Sequence, residues 1–179
     1  MVVHEDIRLI SFTGGTKTAE SIIKSSAPFY KKLSLELGGK NPNVIFDDCN
    51  LDQCVETTVS NANVKWYVKM TDTNQIRSSF LNQGEICLCG SRIYVQETIY
   101  EEFMRKFLAK IRELKFGNPF EASTNVGALI TREHMAKVLS YIEIGKKDGK
   151  IEIGGGKPEN LPEEFRDGYF VAPTVITGK

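Results

Sequence analysis

Two segments of the sequence carry residues that can do covalent chemistry. Residues 35–42 read LELGGKNP, in which Glu36 ends an apolar run directly before two glycines. Residues 80–92 read FLNQGEICLCGSR, in which Cys87 follows a glycine-containing turn 51 positions later. Backbone N–H groups at such a turn favour a thiolate nucleophile and can bind an oxyanion, while a carboxylate in apolar surroundings is suited to accept a proton. The two segments therefore predict a nucleophile and a general base.

Each residue also has an ordinary structural explanation. Glu36 could cap the following turn or pair with Lys40, and Cys87 could be a small buried hydrophobe, as free cysteines commonly are. A zinc site at Cys87 and Cys89 is not indicated. A structural zinc site needs four N or S ligands, and the two histidines of the chain do not form a ligand-spaced pair that could complete the set. We expect no metal site. A papain-like site is not indicated either, because the local signature around the cysteine is missing.

A third segment, FTGGT at residues 12–16, places Gly14 and Gly15 between a predicted strand and a predicted helix. Glycines there let the backbone approach a phosphate, and the helix N-terminus offers free amides and the positive end of its dipole. The segment matches neither GxGxxG nor GxxxxGK[ST], so a plain turn is the alternative.

Composition excludes several classes of protein. The chain has 179 residues, enough for one domain with a substantial core, and 23 basic residues balance 23 acidic ones. Without a basic excess we expect no nucleic-acid partner. A hydrophobic fraction of 41% and the lack of an apolar run of about 18 to 20 residues favour a globular protein rather than a disordered or membrane-spanning one. The charged N-terminus does not resemble a signal peptide, so we expect a cytoplasmic protein with four cysteine thiols.

Strand and helix patterns alternate along the chain, which predicts an α/β fold with a mostly parallel sheet and flanking helices. Apolar side chains at helical spacing predict four helices. The helices are expected at about 16–27, from about 51, at about 98–116 and at about 131–148. Strands or extended pieces are expected at 7–12, 33–37, 44–46, 93–95, 126–130, 151–153, 169–171 and 174–176.

One stretch interrupts this alternation. Residues 59–75 have neither a helical nor a strand period, and we interpret them as an inserted loop. The alternative is a continuation of the preceding helix.

Together and in this order, the three segments resemble the aldehyde dehydrogenase superfamily. LELGGKNP is similar to the family's glutamate motif, FLNQGEICLCGSR to its cysteine motif and ISFTGGT to its dinucleotide turn, and GYFVAPTV at 168–175 also matches. Within the superfamily, SLELGGKNP and NQGEICLCGSR are most similar to the aminomuconic and hydroxymuconic semialdehyde dehydrogenases.

The resemblance implies a reaction. Cys87 would attack an aldehyde carbonyl, its backbone N–H would help to hold the tetrahedral oxyanion, hydride would pass to a nicotinamide, and Glu36 would activate the water that releases the acid. Cys89 would be a neighbour of the nucleophile rather than a participant.

The resemblance also implies a cofactor, NAD, and leaves NADP open. Gly14, Gly15 and Thr16 would lie near its phosphates, and Leu37 and Gly38 near its nicotinamide. The substrate would be a small-molecule aldehyde. Full-length members of the family are homo-oligomers, which is not assured for a chain of this extent.

The match also implies that the chain is a fragment. Residues 1–35 would be the C-terminal remnant of the dinucleotide-binding domain and residues 36–179 a partial catalytic domain. The upstream oxyanion asparagine and ribose-binding lysine, and the downstream ExFGP segment, are not in the sequence. One alternative is therefore a catalytically inactive fragment prone to aggregation, and another is a thiol esterase that needs no cofactor.

The family spacing gives the inserted segment a possible origin in the gene. The glutamate and cysteine motifs stand 17 residues, 59–75, further apart than the family pattern. Val59-Ser60 can be encoded by a splice-donor sequence, GTAAGT, and Gln75 by CAG, an acceptor end. We hypothesise a retained intron, which sequencing of the spliced transcript decides.

Overall fold

The computed structural model describes residues 1–59 and 79–178. The chain divides into two compact units, Met1–Lys40 and Asn41–Lys179.

The first unit is a strand-helix-strand element. It contains β1 (Leu9–Thr13), α1 (Thr16–Ser26) and β2 (Lys32–Glu36). The two strands are parallel, with a register that runs from Leu9 opposite Lys32 to Thr13 opposite Glu36. α1 passes into a short 3₁₀ turn, Ala27–Phe29, because Pro28 lacks the N–H that a continued helix needs. The parallel pairing brings the C-terminal ends of β1 and β2 together.

The second unit begins with a parallel strand pair covered by two helices. It contains β3 (Pro42–Ile45), α2 (Leu51–Val59), β4 (Arg92–Val95) and α3 (Tyr100–Arg112). Pro42 lies opposite Arg92 and Ile45 opposite Val95. This register places the residues before β3 next to those before β4.

Aromatic side chains on α3 form the centre of the main core. Phe103 and Phe107 are each 1% exposed, and their ring centroids lie 5.2 Å apart. Phe80, which precedes the cysteine segment, stacks on Phe107 with centroids 6.3 Å apart. Full burial of such a side chain stabilises a fold by about 1.5–3 kcal/mol. The other buried members of this core are Ile45, Val55, Val59, Ile111, Leu114 and Val126.

Ion pairs join the outer faces of α2 and α3. Lys106 pairs with Asp52, and Lys110 Nζ lies 2.8 Å from a carboxylate oxygen of Glu56. Hydrogen bonds to these acids raise the pKa of both lysines, with Asp52 the largest cause for Lys106 and Glu56 for Lys110. The pairs therefore favour the charged lysines in the folded chain.

The C-terminal part of the second unit contains a long helix and an antiparallel strand pair. These elements are α4 (Arg132–Asp148), β5 (Gly149–Ile153) and β6 (Val175–Gly178). The turn after β5 requires glycine at position 154, where φ is +81° and an added Cβ would lie 2.2 Å from the Pro173 carbonyl oxygen.

The α/β class, the four helices and five of the six strand predictions are confirmed, and the extended piece at 174–176 overlaps β6. The strand predicted at 126–130 is wrong, since these residues contribute only an isolated bridge between Val126 and Phe116, and the extended piece at 169–171 lies outside the strands. Hydrogen bonds of another kind hold these stretches, since Leu129 N donates to Tyr169 O at 2.9 Å. The described strands form three two-stranded sheets, two of them parallel. Of the predicted insertion, Val59 ends α2 and residues 60–75 lie outside the described ranges.

The described helices include none that combines the length and the apolar character needed to cross a lipid bilayer.

Candidate active site

The backbone before Cys87 takes an unusual conformation. Asn82, Gln83 and Gly84 are consecutive left-handed residues, with φ of 49°, 58° and 74°. For residues other than glycine this region costs of order 1–3 kcal/mol, and such strain tends to gather at functional sites. A Cβ at Gly84 would be strained and would lie 3.1 Å from the Ser79 carbonyl oxygen. The NQG sequence thus provides the sharp turn that leads into the cysteine.

Cys87 itself lies in a β-turn. Cys89 N donates to Ile86 O at 2.9 Å, which closes a turn with Cys87 at its second position. Cys87 is half-buried, Cys89 is 5% exposed, and neither is in a disulfide. No hydrogen bond within the described part of the chain uses the Cys87 N–H. This arrangement leaves one sulfur accessible beside an available backbone donor, whereas the other sulfur is packed inside.

Side-chain donors attach the cysteine turn to its surroundings. Asn41 Nδ2 donates to the carbonyl oxygens of Cys87, at 2.7 Å, and Cys89, at 3.3 Å. Ser79 Oγ donates to Gly90 O at 2.6 Å. Asn41 reaches the turn because it precedes β3 just as the cysteine turn precedes β4, and parallel strands start at the same edge. Asn41 belongs to the glutamate motif, but no role for it was predicted from the sequence.

A second contact ties the turn to α4. His134 Nε2 lies 2.8 Å from Glu85 Oε1, and each side chain is 36% exposed. The backbone N–H of His134 is held in place by the Thr131 hydroxyl, which accepts it at 3.1 Å and caps α4. Sequence reasoning missed this contact, because 49 residues separate the two side chains and no local pattern connects them.

The glycine turn of the first unit has the features of an anion site. Gly15 is the N-cap of α1, in an extended conformation, and no side chain caps the helix there. The first turn of α1, which begins at Thr16, contains no acidic residue, and no atom lies within 4 Å of a Cβ built on Gly15. Free helix amides in open space fit a phosphate group. At Gly14, in contrast, a Cβ would lie 2.5 Å from the ring of Phe12.

The glutamate motif adjoins this turn. Gly14 N donates to Glu36 O at 3.0 Å, so the first unit brings the glycine turn and the end of β2 together. The Glu36 residue is exposed, whereas the general-base argument from the sequence assumed a buried carboxylate. Leu37 is half-buried, and no atom lies within 4 Å of a Cβ built on Gly38. Glu36 belongs to the first unit and Cys87 to the second.

Comparison with known proteins assigns these features to a family. The sequence profile described as the aldehyde dehydrogenase family matches residues 1–65 and 68–179. Over 179 residues the chain is 50% identical to the 2-aminomuconic semialdehyde dehydrogenase of Bos taurus, with 99% of this chain and 33% of that protein covered. It is 36% identical to the betaine aldehyde dehydrogenase of Bacillus subtilis, over 99% of this chain and 32% of that protein.

Solved structures give the same result. A crystal structure of betaine aldehyde dehydrogenase from Staphylococcus aureus in complex with NAD+ superposes with a TM-score of 0.79 at 34% identity. The match covers 98% of this chain and 31% of that one. The chain therefore spans about a third of the length of these relatives. Because the profile matches nearly all of its residues, the chain belongs to the aldehyde dehydrogenase family.

Proposed function

We propose that this chain is part of an NAD-dependent aldehyde dehydrogenase that oxidises a small aldehyde, of the muconic semialdehyde class, to its acid. The observation that carries the proposal is the family match through both motifs, with a half-buried Cys87 whose N–H is available at the cysteine turn. Relatives named 2-aminomuconic semialdehyde dehydrogenase support the substrate class.

Cys87 is the nucleophile in this proposal. Its thiolate sulfur adds to the aldehyde carbonyl carbon, and the carbonyl oxygen becomes an oxyanion that accepts a hydrogen bond from the Cys87 N–H. Loss of a hydride from the same carbon leaves a thioester on Cys87. Glu36 then takes a proton from water, the hydroxide oxygen attacks the thioester carbon, and the C–S bond breaks to release the acid. The strained turn and Asn41 hold the cysteine backbone in place during these steps.

The first unit is proposed to hold the cofactor. Gly15 and Thr16 would donate backbone amides to its phosphates at the uncapped start of α1, Gly14 would lie beside them with its own N–H bonded to Glu36 O, and Leu37 and Gly38 would lie near the nicotinamide. NAD supplies the oxidant when bound, accepting the hydride from the aldehyde carbon. The NAD+ complex of the Staphylococcus aureus relative supports this choice.

We assign residues 1–35 to the end of the cofactor domain and residues 36–179 to part of the catalytic domain. Since relatives are about three times as long, assembly into a homo-oligomer and location in the cytoplasm are proposed for the whole protein rather than for this chain.

The test is NADH formation from 2-hydroxymuconic semialdehyde by the purified chain. Cys87→Ser should lower kcat by at least about 10³-fold, and Glu36→Gln should allow acylation but slow acid release. Cys49→Ala, a cysteine change outside the proposed machinery, should leave turnover unchanged. Turnover that survives Cys87→Ser contradicts the proposal. If the chain shows no turnover and does not bind NAD, the inactive fragment is supported. If it hydrolyses esters without NAD and loses this activity in Cys87→Ser, the esterase is supported.

A further inference from the structure

Two cysteines outside the proposed site flank the start of α2. Asn50 caps this helix: its Oδ1 accepts the Gln53 N–H at 3.1 Å, and its carbonyl oxygen accepts the Cys54 N–H at 2.9 Å. Counted from this cap, Cys49 is the residue before it and Cys54 is the fourth residue of the helix. Side chains at these two positions pack against each other in the hydrophobic staple that fixes chain entry into a helix. The cap geometry therefore places the two cysteines at the positions whose side chains meet in such a staple.

The environment of the two thiols agrees with this geometry. Both cysteines are half-buried, neither is in a disulfide, and both pack against the core formed around Phe103 and Phe107. Burial, followed by a hydrogen bond with Cys49 and repulsion from its thiolate, raises the pKa of Cys54 to about 11. The two half-buried thiols thus belong to one environment, in which Cys49 affects the ionisation of Cys54.

We propose that Cys49 and Cys54 form a dithiol site that a small-molecule disulfide of the glutathione type oxidises to an intramolecular disulfide across the start of α2. The site is separate from Cys87 and does not depend on aldehyde oxidation.

The reaction consists of two thiol–disulfide exchanges. The Cys49 thiolate attacks a sulfur of glutathione disulfide, the S–S bond of glutathione breaks, and one glutathione leaves and takes up a proton. Cys54 then gives its proton to buffer, attacks the Cys49 sulfur and releases the second glutathione. Two protein thiols are oxidised and one glutathione disulfide is reduced to two thiols. Because the raised pKa keeps Cys54 protonated at neutral pH, the first attack falls to Cys49.

The sequence permits a direct assay. Trypsin releases Cys49 and Cys54 together in peptide 41–65, and Cys87 and Cys89 together in peptide 78–92. The full chain is equilibrated with mixtures of reduced and oxidised glutathione, quenched in acid, alkylated with N-ethylmaleimide, digested and analysed by mass spectrometry. Peptide 41–65 should lose two hydrogens and carry neither alkyl group nor glutathione.

The folded cap should promote this bond. The glutathione ratio at half-oxidation should show an effective thiol concentration at least about tenfold higher in the native chain than in concentrated guanidinium chloride. A native-to-denatured ratio near one would refute the proposal. The proposal would also be refuted if peptide 41–65 carried two alkyl groups after oxidation, or if it carried one bound glutathione and formed no intramolecular disulfide.

Three variants complete the test. Cys49→Ala and Cys54→Ala each keep an apolar side chain in the staple and should abolish the disulfide, with circular dichroism to check that the fold persists. Cys87→Ser should oxidise at 49–54 as the parent does. Loss of the bond in Cys87→Ser would mean that oxidation is relayed from Cys87, which would overturn the proposal of a separate site.

Discussion

Asn41→Asp tests how the cysteine turn is held. Aspartate keeps the shape of the asparagine side chain, but it replaces the amide N–H that now donates to the carbonyl oxygens of Cys87 and Cys89. Each hydrogen bond contributes a net of about 0.5–1.5 kcal/mol, so the loss of two weakens the turn by about 1–3 kcal/mol. At 1.4 kcal/mol per factor of ten, the open population of the turn should rise by about 5- to 150-fold.

Cys89 reports this opening. Its residue is 5% exposed, so iodoacetamide reaches its sulfur only when the structure around it opens, and the turn is part of that structure. In the Asn41→Asp variant the alkylation rate of Cys89, followed by mass spectrometry of peptide 78–92, should rise by the same factor of about 5 to 150. Half-buried Cys87 should change much less.

Asn43→Asp is the matched control for this experiment. Asn43 lies two residues further along, in β3, and its Nδ2 donates to Thr58 Oγ1 at 3.2 Å, on α2 rather than on the cysteine turn. Its substitution should lower general stability with a smaller effect on Cys89. If Asn41→Asp labels Cys89 no faster than the parent, or no faster than Asn43→Asp, then Asn41 does not hold the turn.

Three further predictions concern the core, the contact with α4 and the effect of pH. Phe107→Ala removes both aromatic stacks and should lower the free energy of unfolding by about 3–5 kcal/mol, measured by urea denaturation; a loss below about 1 kcal/mol would contradict the core assignment. His134→Ala removes the partner of Glu85 and should speed amide hydrogen exchange at residues 82–85. If the variant and the parent exchange at the same rate, the contact does not restrain the turn. The folded chain raises the pKa of Lys110. The stabilisation that charged Lys110 provides is therefore fully present below the pKa of an unfolded lysine, about 10.4, and is lost as the pH rises through the pKa of Lys110 in the folded chain. Unfolding free energy should therefore fall less at alkaline pH in Lys110→Met than in the parent.

Part of the site could be read from the sequence because its signals are local. The NQG turn before Cys87 and the glycine turn before α1 depend on backbone conformations that particular residue types allow. The staple positions of Cys49 and Cys54 are equally local, since Asn50 marks the cap between them, but no pairing of the two was predicted from the sequence.

The sequence by itself determined the α/β class and the helices and located the two segments proposed to carry the chemistry, because apolar period and turn chemistry act over a few residues. Tertiary structure decided which distant side chains meet: the parallel register of β3 and β4 sets Asn41 beside the cysteine turn, and the position of α4 brings His134 to Glu85. It also decided that residues 126–130 join no sheet, since a strand needs a partner and this apolar run finds one at a single bridge. Such pairings depend on how elements pack, which no short window of sequence specifies.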